Sequence, residues 1–131
     1  MKKFTFVLLM LCSFQCFSSG HFGTKWVIVN VNDNAETYVD PTTIRREGTI
    51  RKFWAFHNLK VRNARYGYMS IRTRHEIDCK KQTSRITSVH QFSESMLKGA
   101  VTGNYSYPDD VWSDIAPDSM DEALMEYVCP K

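Results

Sequence analysis

Past its first nineteen residues the chain contains two cysteines, Cys79 and Cys129, and their fate constrains the fold more than any other feature. Residues 1–19 are set apart because Lys2 and Lys3 precede an apolar run, Phe4 to Leu11, that gives way to small residues. That is the pattern of a secretory signal peptide, with cleavage expected after Ser18 or Gly20. Residues 20–131 then form the exported part, about 110 residues, which suffices for one domain with one core. In an oxidising compartment two cysteines pair most simply with each other. Their bond would close a loop of about 50 residues and stabilise the fold by roughly 4 kcal/mol in the chain-entropy treatment. The alternative is two buried free thiols. The leading apolar run falls short of the roughly 20 residues that span a bilayer, and no later stretch approaches that length, so no transmembrane segment is expected. Nor is a lipid anchor: Cys12 follows Leu9-Met10-Leu11, Cys16 follows Ser13-Phe14-Gln15, and neither has small residues in the two positions before it.

The remaining sequence reads as strands first and helix last. Lys25 to Asn32 is rich in β-branched residues, Asn32-Asp33-Asn34 supplies a turn, and Glu36 to Asp40 returns as a second strand. Asp40-Pro41 then reads as a capped helical turn, with the Asp40 carboxylate accepting from free amides and Pro41 in the first turn. Ile50 to Leu59 carries large apolar groups on both parities, Trp54 and Phe56 on one and Phe53, Ala55 and Leu59 on the other, as in a strand covered on both sides. Residues 60–67 read as a connection. From Tyr68 to Asp78 the alternation is cleaner: Met69, Ile71, Ile77 and Cys79 share a core parity, while Arg72, Arg74, Glu76 and Asp78 share a wet one. Pairing with Ser84 to Phe92 so that Ile77 faces Ile86, Ile71 faces Phe92 and Asp78 faces Arg85 matches apolar to apolar and charge to charge. Lys80 to Thr83 is then the hairpin loop, and a further strand is expected near Gly99 to Asn104.

The last segment carries the strongest local signal. Ser119 is an N-cap with Glu122 three residues on, Met120, Ala123, Leu124, Tyr127 and Val128 fall on one helical stripe, and Pro130 follows the last turn. Cys129, on that last turn, reaches a strand only if the helix lies on the sheet. The expected fold is therefore α+β: an antiparallel sheet of about six strands with one C-terminal helix on its face, tied by Cys79 and Cys129.

In this order Tyr38 to Gly48 (YVDPTTIRREG), the tryptophan strand Phe53 to Phe56, Ser70 to Cys79 (SIRTRHEIDC), Val111 to Pro117 (VWSDIAP) and a terminal helix ending in Cys129 resemble the surface-adhesin protein E family of exported bacterial proteins. The resemblance implies the same layout, an antiparallel sheet with a disulfide-tied C-terminal helix. It also implies non-enzymatic adhesion to host matrix or serum glycoproteins, such as vitronectin and laminin. The family's basic stretch before and along the Asp-Cys strand corresponds here to Arg62, Arg65, Arg72 and Arg74. The basic doublet that opens that stretch is represented here by Arg65, with Tyr66 after it.

Charge is unevenly spread. Residues 45–85 hold 12 Lys and Arg against 3 Asp and Glu, whereas residues 94–131 hold 2 against 8. A partner meets a charge dipole, and Arg72, Arg74 and Arg85 with the loop residues Lys80 and Lys81 form a basic hairpin suited to acidic or sulfated polymers and acidic protein segments. The competing reading is a solvated face whose arginines oppose edge aggregation, in a periplasmic accessory or structural domain without a host ligand. Export and a near-neutral balance argue against nucleic acid. No metal is expected, since His21, His57, His75 and His90 are not at ligand spacing and the cysteines are taken. His75 and His90 share a predicted core parity and read as sheet histidines, Trp54 and Trp112 as core aromatics between sheet and helix, and Asp109-Asp110 as a solvated loop. With no nucleophile elbow, P-loop or dinucleotide fingerprint, the sequence calls for no catalytic residues and no cofactor. It places the protein in the periplasm, at the cell surface or outside the cell.

Overall fold

A computed structural model of the chain describes residues 26–108 and 111–131, so the expected signal segment with Cys12 and Cys16, His21, and Asp109-Asp110 lie outside the described residues. Eight antiparallel strands form one sheet: β1 (Val27–Val31), β2 (Ala35–Val39), β3 (Arg45–Glu47), β4 (Ile50–Leu59), β5 (Ser70–Asp78), β6 (Thr83–Phe92), β7 (Val101–Ser106) and β8 (Ser113–Asp114), followed by the helix α1 (Met120–Val128). The main path runs β1-β2-β4-β5-β6-β7, with β3 paired to β4 and β8 to β6. The count therefore exceeds the six expected, because two strands of three and two residues are too short to give an alternation signal.

Local chemistry makes most of these elements. Asn32 Oδ1 accepts from the amides of Asn34 and Ala35 and closes the β1–β2 turn. Asp40 Oδ1 accepts from Thr42 N and from the Thr42 hydroxyl, capping the 3-10 turn Pro41–Thr43. Gly48, at φ +58°, supplies the left-handed residue that lets β3 fold back on β4. In α1 the Ser119 hydroxyl accepts from Glu122 N while Glu122 Oε2 accepts from Asp118 N, so the reciprocal cap expected of this sequence forms with a one-residue offset.

One face of the sheet is covered. Leu124 and Val128 of α1 pack on Val39, Phe53, Ala55 and Ile77, with Val29, Ile44, Ile115 and Met125 at the margin. Cys79 and Cys129 are bonded across this layer. The helix is rotated from the expected stripe: Tyr127 is exposed, while Met125 packs inward and Asp121 accepts from the Ser84 hydroxyl. That hydrogen bond is satisfied only if the Asp121 side faces the sheet. Leu124 is fully buried. Leu124→Ala is expected to cost about 3 kcal/mol, read from urea unfolding, because this short layer has little freedom to collapse; a loss below about 1 kcal/mol would mean that the helix does not hold the core.

The β5–β6 register departs from expectation. Ser70 pairs with Phe92, Ile71 with Gln91 and Arg72 with His90, but beyond a bulge at Thr87 His75 pairs with Ile86, Glu76 with Arg85 and Ile77 with Ser84. The hairpin loop is accordingly Cys79 to Gln82, with Gln82 at φ +53°. The inserted residue separates the parities, so His75 lies on the helix-covered face and His90 on the opposite one. Asp78 does not meet Arg85 but accepts from the amides of Lys80 and Lys81. Neither tryptophan sits between sheet and helix. Trp54 pairs with Arg74 on the open face, and Trp112 covers the Arg85 guanidinium with its centroid 4.7 Å away.

Candidate functional site

Because antiparallel partners project to the same side, the open face can be read from the register. Tyr38, Phe56, Arg72 and His90 form one row across β2, β4, β5 and β6, and Trp54, Arg74 and Ser88 form the next. The rows are aromatic and cationic together. Tyr38 stacks on Phe56 at 4.4 Å, and Trp26 meets Phe56 edge-on at 4.8 Å. The Arg72 guanidinium lies 5.3 Å from the Trp54 ring and 5.7 Å from Phe92, and its Nη2 donates to His90 Nδ1 at 2.9 Å. That donation requires a neutral imidazole, and partial burial together with the Arg72 charge does push the His90 pKa down.

Trp54 is the wall between two recesses. One, about 140 Å³, is lined by Thr42, Thr43, Arg45, Lys52, Phe53, Trp54 and Arg74. The other, about 310 Å³, is lined by Trp26, Asp40, Thr43, Trp54, Arg72 and His90. In the first, Lys52 is neutralised by Glu47 at 2.9 Å and Glu76 at 3.3 Å, and these contacts raise its pKa. Arg74 is exposed and has no side-chain partner among the described residues. In the second, the fully buried Asp40 leaves Oδ2 without a hydrogen-bond partner, and Arg72 Nε is likewise unpartnered.

The seven basic residues offered as candidate ligand contacts, five of them as one hairpin patch, fall into separate places. Arg62, in the β4–β5 connection, is tied by Nη1 to the carbonyls of Gly67 and Ser93 at 2.7 and 2.6 Å, and Arg65 leans on the Tyr66 ring at 5.1 Å. Lys80 and Lys81 are exposed at the far end of β5, roughly 30 Å away by strand rise. Arg85 is held between Trp112 and the buried Glu76, whose Oε2 lies 2.6 Å from Arg85 Nε. Arg72 and Arg74 meet instead with Arg45, Asp40, Trp26 and His90, none of which the sequence offered as site residues. The capping signal at Asp40-Pro41 was visible, but it explains only one carboxylate oxygen.

Two histidines lie on the covered face. His57 Nδ1 is 3.1 Å from the Thr37 hydroxyl, and Nε2 is 3.4 Å from that of Thr73. His75 stacks against Phe53 with neither ring nitrogen partnered. Burial, and secondarily the neighbouring His75, pushes His57 down to about 3, and burial alone pushes His75 down to about 4. They are neutral packing groups 6.0 Å apart, not a metal pair, and no group of three metal-ligating side chains occurs among the described residues.

One covered face, one open face lined with aromatics and cations, and a helix fastened by a disulfide define a small α+β domain with one sheet face left open. The profile of the surface-adhesin protein E family matches residues 26–130, and the chain belongs to that family. Among solved structures it is similar to protein E of Haemophilus influenzae in two forms. In crystal form II the identity is 15%, over 77% of this chain and 91% of that one, with a TM-score of 0.55. For another structure of the same protein the values are 16%, 79%, 83% and 0.54. At these identities the likeness is one of fold. No curated protein matches the chain. Family membership makes this an adhesin-like protein with an exported or surface location and points to a non-enzymatic role. Among the described residues no helix is long and apolar enough to cross a membrane.

Proposed function

We propose that the chain is an exported binding protein that holds an acidic or sulfated polymer, or an acidic segment of a host matrix or serum glycoprotein, through exposed basic residues. The observation that carries this reading is the exposed Arg74, unpaired beside Arg45 and the Trp54 ring. Neighbouring cations are balanced by Glu47 and Glu76, whereas this one leaves a net positive recess next to an aromatic surface. Such a site draws anions at long range and gains when they desolvate against the ring. The hairpin tip with Lys80 and Lys81 is a second basic element of the same reading, and Arg62 and Arg65 form a third at the opposite end. Arg72 and Arg85 serve it less, since each is already stacked and hydrogen-bonded.

Retention on immobilised heparin tests the reading. Arg45→Ala/Arg74→Ala is expected to weaken binding about tenfold and flatten its salt dependence, with the melting temperature within about 3 °C of the parent. Lys80→Ala/Lys81→Ala measures the hairpin's share. Retention unchanged in both variants would remove the basic surface from the account. The alternative, a periplasmic accessory domain with no host ligand, draws on the internal pairing of Lys52 and Arg85 with Glu76, which uses part of the basic charge within the sheet. Protease digestion of tagged protein on intact cells supports the surface reading; protection there with release by osmotic shock supports the periplasmic one.

A further inference from the structure

The β4–β5 and β6–β7 connections lie side by side at one end of the sheet and are fastened to each other. Arg62 Nη1 donates to the Ser93 carbonyl at 2.6 Å, the Ser70 hydroxyl donates to Glu94 O, and Met69 N donates to Phe92 O. The β6–β7 loop then folds back over the end of β5, where Asn58 Oδ1 accepts from Met96 N and the Ser70 hydroxyl oxygen accepts from Leu97 N. Met96 and Leu97 stand there at φ +58° and +59°, the two central positions of a turn closed by Lys98 N donating to Ser95 O. Two left-handed central residues make a type I′ turn, which favours Asn-Gly and is costly for residues with larger side chains. An apolar pair is thus held against the preference of its own backbone, and Met96 is left exposed. Strain that the surroundings keep in place points to a use.

The rest of this tip is apolar and cationic together. Val61 is 78% exposed, Tyr66 52% and Met96 45%. Residues 60–69 carry Lys60, Arg62 and Arg65 with no acid, and residues 93–100 carry Lys98 with Glu94, so four basic residues stand against one acidic, a net +3. The β1–β2 turn, joined to them by Lys60 N donating to Asn34 O, adds Asp33. Lys60, Arg65 and Lys98 have no ion-pair partner among the described residues. A dissolved polyanion would match these cations but leave Val61 and Met96 in water, and an uncharged apolar partner would strand the cations. An anionic bilayer meets both, since headgroup phosphates take Lys and Arg, a tyrosine suits the interface, and aliphatic side chains enter the acyl boundary. We propose that this end of the sheet docks on an anionic phospholipid bilayer, with Val61 and Met96 entering it and Lys60, Arg65 and Lys98 on its headgroups. So few apolar groups make a reversible contact, as a single acyl chain does. The docking goes beyond the anion reading of the Arg74 recess and uses neither Arg45 nor Arg74. Arg65 becomes a headgroup contact, and Arg62 the strut between the loops.

The test is co-sedimentation of the folded protein, at low ionic strength, with vesicles of phosphatidylcholine alone and of two parts phosphatidylcholine to one part phosphatidylglycerol. Partition onto the anionic vesicles is expected to be at least about tenfold stronger than onto the neutral ones. Met96→Asn/Leu97→Gly gives the turn the residues its backbone prefers, so the melting temperature should rise by a few degrees while partition falls about tenfold. A pair that served only the fold would not move the two readings in opposite directions. Lys60→Gln/Lys98→Gln should lower partition onto the anionic vesicles about tenfold and leave the neutral ones unaffected. Arg45→Ala/Arg74→Ala keeps the vesicles while losing heparin, so the two sites fail separately. No partition of the parent onto anionic vesicles overturns the proposal whatever heparin does. Equal partition of the parent and Met96→Asn/Leu97→Gly overturns it too, since charge alone then accounts for binding. Loss of heparin with vesicle binding intact in Lys60→Gln/Lys98→Gln would make the tip a polyanion site instead.

Discussion

Replacing both cysteines by alanine is expected to remove about 4 kcal/mol of stability and lower the melting temperature by about 15–30 °C. The loop closed between Cys79 and Cys129 spans a separation of 50 residues, so the unfolded chain regains much conformational freedom when the bond is gone. The folded state suffers as well. α1 has nine residues, fewer than a helix needs to persist alone in water, and it stays on the sheet through Leu124, Val128 and the bond next to Val128. Amide exchange should therefore report loss of protection in α1 before any loss in β4 and β5. Thermal unfolding of Cys79→Ala/Cys129→Ala against the oxidised parent checks the magnitude. A difference of only a few degrees would mean that apolar packing alone holds the helix.

The second large effect is acid sensitivity. His57 and His75 have folded pKa values of about 3 and about 4, both below the ordinary 6.5, so the unfolded chain takes up protons that the native state refuses. Their contribution is complete above pH 6.5 and is lost as pH falls through 6.5 towards 4 for His75 and towards 3 for His57. With two such groups the slope approaches about 2.7 kcal/mol per pH unit, and the loss between pH 7 and pH 5 is about 4 kcal/mol. Asp78, whose carboxyl is held below its usual value chiefly by the Lys81 amide, acts in the same direction only at lower pH. Urea titrations at pH 7, 6 and 5 measure the slope. His75→Leu should halve it and, by removing two unpartnered nitrogens, raise stability at pH 7 by about 1 kcal/mol. Equal stability at pH 7 and pH 5 would show that water reaches both rings.

Much of this fold was legible in the sequence for local reasons. The Asn32 turn and the Asp40 and Ser119 caps each depend on residues close together in the chain, whereas β4, which reads as covered on both sides, is covered by the helix on one face only and carries Trp54 on the open one. The disulfide was legible because two cysteines leave one pairing. The β5–β6 register was not, since Thr87 looks like any strand residue and only the geometry of the finished sheet makes it a bulge. That single unread residue sent His90 to the wrong face and hid its contact with Arg72. The basic residues were legible as composition but not as placement, because a strand about 30 Å long carries the two ends of one sequence cluster far apart. The larger recess was illegible for the same reason: Trp26, Asp40, Trp54, Arg72 and His90 come from five segments, and only the pairing of β2, β4, β5 and β6 brings them together.

The order of elements along the chain also sets an order in time. All six strands of the main path precede Tyr107, and the helix that covers them begins at Met120. A chain emerging from its N-terminal side can thus complete the sheet while Phe53, Ile77 and both neutral histidines still lack their cover. In that order of events Cys79 would stand on the bare face as a free thiol, open to any oxidant or foreign thiol, until Cys129 pairs with it.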